Sequence, residues 1–190
     1  MTIVLDKIKK SFGNRLVLEN VSRELPDGAR IALMGPSGVG KTTLLSILAG
    51  LQEADAGKVS GIPKRLAMVF QEDRLIEGAD AVTNLKLTCG KRYTEAELIQ
   101  ELHQIGIEDA VGKPVESFSG GMKRRVAIVR AVLAEAELVL LDEPFKGLDA
   151  ECKLLVMEYV KQHTVGKTLL LATHEPEEAQ VFQAEIWKLE

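Results

Sequence analysis

The sequence predicts an α/β fold, in which an α/β core is combined with an N-terminal antiparallel β subdomain and an inserted helical subdomain. Three observations lead to this prediction. Short apolar runs, typical of strands buried on both faces of a parallel sheet, alternate with helical patterns. The N-terminal segment instead alternates apolar and polar side chains with a period of two. Residues 72–136 contain helical patterns and no convincing strand.

The N-terminal segment is predicted to form two strands. The period of two is seen over residues 3–5 and again over residues 16–21. Gly13-Asn14 lies between these stretches and favours a tight connection. Pro26-Asp27-Gly28 then predicts a turn before the first core strand.

The remaining apolar runs and helical patterns predict the other strands and helices. We interpret residues 1–190 as one domain, with residues 1–71 and 137–190 forming the core and about 72–136 the insertion. Strands are expected over residues 30–34, 66–70, 138–141 and 168–172, and helices over residues 42–51, 94–105, 119–136 and 151–163.

The composition excludes several classes of protein. The 24 Lys and Arg residues are outnumbered by 28 Asp and Glu, and the net charge of -4 argues against a partner bound through phosphate neutralisation, so no nucleic acid is expected. No apolar run reaches the roughly 18 residues of a membrane span. Two cysteines do not make a disulfide framework. We therefore expect a cytoplasmic chain.

A glycine-rich segment carries the strongest chemical signal. Gly35-Pro36-Ser37-Gly38-Val39-Gly40-Lys41-Thr42, followed by Thr43, fits GxxxxGK[ST] between a predicted strand and a predicted helix. Backbone N–H groups of such a (Walker A) loop surround phosphate oxygens, Lys41 reaches the β- and γ-phosphates, and Thr42 binds Mg²⁺. The motif alone leaves ATPases, GTPases and nucleotide kinases open, and the alternative is a plain glycine turn.

Two carboxylates follow a second buried strand. Asp142 and Glu143 come directly after residues 138–141, and ligands of parallel sheets bind beyond the carboxyl ends of the strands. Asp142 is expected to face the same Mg²⁺ as Thr42. Glu143 precedes Pro144, which predicts an extended backbone, and its carboxylate is expected to activate a water molecule. The alternative for Asp142 is an acidic helix cap.

Three further motifs narrow the class of phosphate-loop protein to which this sequence could belong. Phe118-Ser-Gly-Gly-Met122 precedes a predicted helix, and Gln71 and His174 each end a predicted strand. Together with the glycine-rich loop and the acidic pair, this ordered set resembles the nucleotide-binding domain of ABC transporters over essentially the whole chain. The resemblance implies a phosphate-loop (RecA-like) core.

The resemblance also implies roles for individual residues. Phe12 matches the aromatic residue that stacks on adenine, although it could instead be a core residue. Glu143 matches the catalytic glutamate, and Gln71 matches a glutamine that senses Mg²⁺ and the attacking water. His174 matches the switch histidine at the γ-phosphate, with a buried structural histidine as the alternative.

Other matching residues face a second subunit in this family. Ser119, Gly120 and Gly121 match the signature that contacts the γ-phosphate of ATP held by the partner, and Asp149 matches the acid of the interface loop. The family pattern differs at Met122, where glutamine is usual, and at Lys146, where a small polar residue is common. We interpret residues 123–125 as a solvated helix face.

The resemblance implies an ATP-binding, ATP-hydrolysing transporter subunit with ATP and Mg²⁺ as cofactors. Its expected partners are a second copy, or a related ATPase subunit, and transmembrane permease subunits at the cytoplasmic face of the membrane. The segments around Gln71 and Asp142 look like those of nitrate, sulfonate or taurine importers. The alternative is a non-transport ABC-type ATPase that acts as a nucleotide-dependent dimerisation switch.

Overall fold

The computed structural model describes residues 2–108 and 111–189, and it confirms the predicted α/β class. Eight strands, six α-helices and a 3₁₀-helix (Val115–Ser117) occur among these residues. The strands are β1 (Ile3–Phe12), β2 (Arg15–Leu25), β3 (Arg30–Met34), β4 (Ala56–Ser60), β5 (Leu66–Val69), β6 (Leu138–Asp142), β7 (Thr168–Thr173) and β8 (Glu185–Lys188). The helices are α1 (Lys41–Leu48), α2 (Ala81–Cys89), α3 (Glu95–Gln104), α4 (Gly120–Val132), α5 (Ala150–His163) and α6 (Pro176–Val181).

The chain divides into two compact units. Taken over the described residues, the first comprises residues 2–68, 137–143 and 166–189, and the second comprises residues 69–108, 111–136 and 144–165. The first unit holds both sheets with α1 and α6, and the second holds α2 to α5. Helix α5 therefore groups with the helices of residues 69–136, whereas the sequence assigned it to the core.

The N-terminal sheet has the strand order β2-β1-β4. Strands β1 and β2 are antiparallel from Ile3 opposite Leu25 to Phe12 opposite Arg15, as the alternating pattern predicted. Strand β4 was not predicted, because its sequence is polar and contains Gly57. Glycine is required there: φ is 85°, and a Cβ would collide with the backbone carbonyl oxygens of β1.

The larger sheet has the strand order β5-β6-β7-β3-β8. Strand β7 is parallel to both β6 and β3, so three neighbouring strands end at the same edge of the sheet. All residues of β6 and β7 are buried, which explains their continuous apolar sequences. Strand β8 pairs parallel with β3 and was not predicted, because only four residues carry its pattern.

Two helices are shorter than their sequence patterns predicted. Helix α1 ends at Leu48 rather than at residue 51, because Gly50 adopts a φ of 68° and the Leu51 N–H donates to Ser46 O at 2.9 Å. A glycine in the left-handed region is a common helix stop. Helix α4 ends at Val132 rather than at residue 136.

The second unit is built from α2 to α5, and α4 packs against α2, α3 and α5. Helix α3 begins with a complete capping box, in which Thr94 and Glu97 exchange hydrogen bonds. The interpretation of residues 123–125 as a solvated face is wrong for Arg124, which is 5% exposed. The guanidinium of Arg124 is buried because it has carbonyl and carboxylate acceptors inside this unit.

Asp80 caps α2, and this cap predicts a pH-dependent contribution to stability. Its carboxylate accepts from Thr83 N at 2.7 Å and Gly112 N at 3.3 Å. Burial acts to raise the pKa of Asp80, but these hydrogen bonds outweigh it and hold the pKa below its ordinary value. The stabilisation is therefore present at neutral pH and is lost as pH falls through the lowered pKa.

We expect Asp80→Ala to lower the free energy of unfolding by about 1 kcal/mol at neutral pH, as loss of an N-cap does. Urea unfolding of both proteins would measure the difference, which should shrink below about pH 4 as the wild-type carboxylate protonates. Asp80→Asn is the matched control, since it keeps a neutral cap: the part of the stability that it retains should not change between neutral and acid pH. A difference that stays constant into acid would contradict the role of the charge.

No helix within the described part of the chain combines the length and apolar character needed to cross a bilayer.

Candidate functional site

The glycine-rich loop connects β3 to α1, as the motif predicted. Lys41 is the first residue of α1 and is 5% exposed, which is unusual for a lysine. Its ammonium group donates to Gly35 O at 2.7 Å and to Pro36 O at 3.1 Å. The loop therefore curls around the Lys41 ammonium, while Thr42 in the first turn of α1 remains exposed.

The start of α1 is suited to an anion because its first-turn amides receive no side-chain cap. The N-cap is Gly40, which adopts a φ of 109°. A Cβ at this position would lie 2.7 Å from Leu18 Cδ2 and 2.9 Å from Val17 Cγ1, so glycine is required by both conformation and packing. Helix amides without a capping oxygen, together with the helix dipole, favour a phosphate group. The alternative of a plain glycine turn leaves the buried Lys41 unexplained.

The acidic pair lies at the end of β6, next to β7, which ends before His174; β3, which leads into the loop, pairs with the other side of β7. Asp142 is 1% exposed and stands opposite Ala172 of β7. The alternative of an acidic helix cap is wrong, because the next helix begins only at Ala150 and uses Asp149 as its cap. Asp142 therefore presents a buried carboxylate at the edge of the sheet where the phosphate loop begins.

Glu143 differs from the sequence prediction in its backbone. The residue before a proline was expected to be extended, but Glu143 has a φ of 45°, in the left-handed region. Its N–H donates to Ala172 O at 3.0 Å, and the chain then leaves the sheet into a turn over residues 144–147, so Glu143 bends where the local preference alone would extend it. A non-glycine residue in this conformation costs about 1–3 kcal/mol and is characteristic of functional sites.

His174 follows β7 and faces Glu143. Its Nδ1 lies 3.9 Å from Glu143 Oε1, with the His174 side chain 55% exposed and the Glu143 side chain 9% exposed. The alternative of a buried structural histidine is therefore wrong. The imidazole is accessible to a ligand and is close enough to Glu143 for the two groups to act on the same substrate.

Phe12 ends β1 and is 49% exposed, so it is not a core residue. The Lys10 ammonium lies 5.7 Å from the centroid of its ring. Opposite Phe12 on β2, Arg15 donates from Nη2 to Gly38 O at 3.2 Å. Sequence reasoning missed Arg15, although a cation three residues after Phe12 in the same hairpin was a visible signal.

The remaining predicted site residues belong to the second unit. Gln71 is exposed and follows β5. Ser119 is the N-cap of α4, where its Oγ accepts from Met122 N at 3.2 Å. Asp149 is the N-cap of α5, where Oδ1 accepts from Cys152 N at 2.9 Å. Gly120 and Gly121 form the first turn of α4.

The donor set in the first unit fits Mg²⁺. The Thr42 hydroxyl lies at the start of α1, and the Asp142 carboxylate lies at the end of β6, against which α1 packs. Mg²⁺ prefers oxygen ligands and is commonly held by one or two protein oxygens together with substrate phosphates. Both donors belong to the same edge of the sheet as the phosphate loop.

Comparisons with known proteins agree with this geometry. A family model described as ABC transporter matches residues 18–146. The aliphatic sulfonates import ATP-binding protein SsuB 3 of Rhodococcus jostii is 37% identical over 184 residues, covering 94% of this chain and 68% of that protein. SsuB 1 of Pseudomonas syringae is 38% identical over 177 residues, covering 90% of this chain and 73% of that protein.

Solved structures are also similar to this chain. A dimeric ATP-binding cassette in a post-hydrolysis state bound to ADP and Pi superposes with a TM-score of 0.86 and 25% identity, covering 99% of this chain and 94% of that chain. A second dimeric structure, of a bacterial ABC transporter cassette, has a TM-score of 0.86 and 26% identity. Because the family model matches most of the sequence and the phosphate loop, acidic pair and histidine share one edge of the sheet, this chain belongs to the ABC transporter family as an ATP-binding subunit with ATPase activity.

Proposed function

We propose that this chain forms a dimer around two ATP–Mg²⁺ and couples ATP hydrolysis to solute import through separate membrane permease subunits. It would work as a peripheral subunit on the cytoplasmic face of the membrane. The observation that supports this proposal is the convergence of three parallel strands at one edge of the sheet. Strand β3 leads into the phosphate loop, β6 ends at Asp142-Glu143, and β7 ends before His174.

The nucleotide is held mainly by the phosphate loop. Lys41 would exchange its loop carbonyl acceptors for the β- and γ-phosphate oxygens, and the amides at the start of α1 would donate to the same phosphates. The exposed ring of Phe12 would stack on adenine. The cofactor-binding set further comprises Gly35, Pro36, Ser37, Gly38, Val39, Gly40, Thr42 and Thr43.

Hydrolysis is assigned to residues beyond the loop. Glu143 would orient and deprotonate the attacking water, and His174 would donate a hydrogen bond to the γ-phosphate. When bound, Mg²⁺ neutralises charge on the phosphates; Thr42, Asp142 and Gln71 would hold it. The 3.9 Å between His174 Nδ1 and Glu143 Oε1 keeps the two side chains close to one phosphoryl group.

The signature at the start of α4 is proposed to bind the γ-phosphate held by a partner subunit. Neither glycine is required by the fold of this unit. Among the described residues, no atom lies within 4 Å of a Cβ built on Gly120, and the nearest atom to one on Gly121 is Leu148 Cδ2 at 3.7 Å. Glycine is unfavourable inside a helix, and packing does not require it at either position. Two glycines here are consistent with close approach of a ligand to the helix backbone. Asp149 would contribute from the interface loop.

A substitution at Ser119 separates its capping role from its phosphate role. Ser119→Asp and Ser119→Asn both retain an N-cap, so both proteins should fold with nearly wild-type stability. The carboxylate of the Asp variant would repel the γ-phosphate, and we expect ATP-induced dimerisation to weaken at least ~10-fold, about 1.4 kcal/mol, relative to the Asn variant. Analytical ultracentrifugation with ATP would measure this. Equal dimerisation of the two variants would argue against a phosphate contact at Ser119.

A mixing experiment tests the shared site directly. Ser119→Asp lacks a working signature, and Lys41→Met lacks a working phosphate loop, so each protein alone should be inactive. A mixed dimer contains one intact site, made from Lys41 of the first variant and Ser119 of the second. We expect the mixture to recover part of the ATPase activity. No recovery, with mixed dimers demonstrated by differential tagging, would reject the composite site.

The names of the relatives suggest the transported solute. They describe importers of aliphatic sulfonates, and a further relative, from Neisseria meningitidis, is a sulfate/thiosulfate import ATP-binding protein with 33% identity. We therefore propose an aliphatic sulfonate or a related sulfur oxyanion as the solute. ATP-dependent uptake into vesicles that contain the permease and this chain would test the assignment, with sulfate and a carboxylate as competitors. A permease that binds this chain but moves neither a sulfonate nor another sulfur oxyanion would contradict it.

A further inference from the structure

A buried arginine in α4 connects several segments of the second unit. Arg124 Nε donates to Pro144 O at 2.7 Å. Arg124 Nη1 donates to Phe70 O, to Gln71 O at 3.3 Å and to Asp73 Oδ1 at 3.2 Å. A single guanidinium therefore contacts the segment after β5, which contains Gln71, and the segment before α5.

These contacts lie beside the proposed catalytic groups in the sequence. Gln71 is the proposed sensor of Mg²⁺ and water, and Pro144 directly follows Glu143, the proposed base. Arg124 itself comes one turn after the signature at Ser119. The guanidinium thus holds the backbone carbonyl of Gln71 and that of Pro144, the residue after Glu143. The helix that carries Arg124 begins directly after Ser119.

The cation is buried, and its charge partner is partly buried. The side chain of Arg124 is 7% exposed and that of Asp73 is 23% exposed. A buried charge is tolerated only when it is paired and hydrogen-bonded, and this one has both a carboxylate and backbone carbonyls. A guanidinium presents its donors in a fixed plane, so it sets the relative positions of its acceptors more strictly than an ammonium group.

A second arginine of α4 supports the same loop. Arg130 Nη1 donates to Arg74 O at 2.8 Å, and Nη2 donates to Asp73 O at 3.0 Å. The guanidinium carbon of Arg74 lies 3.7 Å from the centroid of the Phe70 ring. The backbone of residues 70–74 is therefore anchored to α4 at four of its carbonyls, and Arg124 supplies the anchor at Gln71.

We propose that Arg124 is a positioning residue, which sets the placement of the Gln71 backbone and of the Pro144 carbonyl relative to the signature helix, and that Asp73 orients its guanidinium. The proposal rests on the proposed function. It assigns to Arg124 no contact with nucleotide. Its effect on hydrolysis is exerted through the placement of Gln71 and the peptide that follows Glu143.

The kinetic test separates placement of these groups from nucleotide binding. We expect Arg124→Gln to lower kcat for ATP hydrolysis by ~10- to 100-fold, because small displacements of catalytic groups have effects of this size. The KM for ATP should change less than about twofold, since the binding residues of the phosphate loop are untouched. The Mg²⁺ concentration for half-maximal activity should rise, because the substitution would displace Gln71, which is proposed to help hold Mg²⁺. Arg124→Lys should restore part of kcat.

Asp73→Asn supplies a milder second variant, in case Arg124→Gln folds poorly. It retains side-chain volume and should lower kcat in the same direction by less. Because the two residues act as a unit, adding Asp73→Asn to Arg124→Lys should lower kcat by less than the product of the single effects. Arg65→Gln is the matched control, since the Arg65–Glu137 pair is half-exposed in the first unit, and it should leave kcat unchanged.

The outcomes distinguish this inference from the proposed function. If wild-type protein hydrolyses ATP and Glu143→Gln does not, but Arg124→Gln and Asp73→Asn both retain wild-type kcat and Mg²⁺ dependence, the positioning role is overturned and the function stands. A fall in thermal stability with unchanged kcat would also overturn it, because that result describes a purely structural arginine. If Glu143→Gln remains fully active, the proposed function itself fails.

Discussion

Replacing Glu143 with glutamine is expected to lower kcat for ATP hydrolysis by ~10²–10⁴-fold, the usual contribution of a general base. Glutamine has nearly the same size and cannot accept the proton of the attacking water. The phosphate loop is unchanged by the substitution, so ATP should still bind. Because hydrolysis separates the proposed dimer, the variant should accumulate as an ATP-bound dimer, which steady-state ATPase assays and light scattering would detect.

Glu137→Gln is the matched control for this experiment. Glu137 lies just before the opposite end of β6, where its carboxylate accepts from Arg65 Nε at 3.0 Å, and it should retain wild-type kcat. Unchanged hydrolysis by Glu143→Gln would refute the assignment of the base. Lost hydrolysis without an ATP-dependent dimer would keep the base and refute the proposal that turnover releases the subunits.

Replacing Lys41 with methionine is expected to weaken ATP binding by about 100-fold, roughly 3 kcal/mol, as loss of charge-assisted hydrogen bonds to phosphate does. Methionine fits the space of a buried, unbranched side chain, so the fold should be retained. The Gly35 and Pro36 carbonyls would lose their donor, but they lie in a partly exposed loop that water can reach. Isothermal titration with ATP and a thermal melt would measure the two effects.

Lys58→Met is the corresponding control, because Lys58 is an exposed lysine of β4 in the same unit. It removes the same charge from the protein without touching the loop, and it should bind ATP as the wild type does. If both variants lose equal affinity, net charge rather than the Lys41 contact governs binding. If Lys41→Met binds ATP normally, the loop is not the phosphate site.

The glycine-rich loop was predictable because its signals are local. Glycines, a lysine and a threonine at fixed spacing between an apolar strand and a helix specify both the turn and its chemistry. The same is true of β6 and β7, whose continuous apolar sequences reflect burial on both faces. Strand β8 could not be predicted in this way, because its four residues become a strand only by pairing with β3.

The chemistry of the site was therefore encoded in short stretches of sequence, and the tertiary structure decided conformation and burial. Pro144 favours an extended Glu143, yet its φ is 45° at the point where the chain, hydrogen-bonded to Ala172 O, leaves the sheet. Arg124 belongs to a charged run that is typical of a solvated face, yet carbonyls from distant segments allow it to be buried. In both cases the hydrogen-bond partners lie far along the chain, where local propensity carries no information about them.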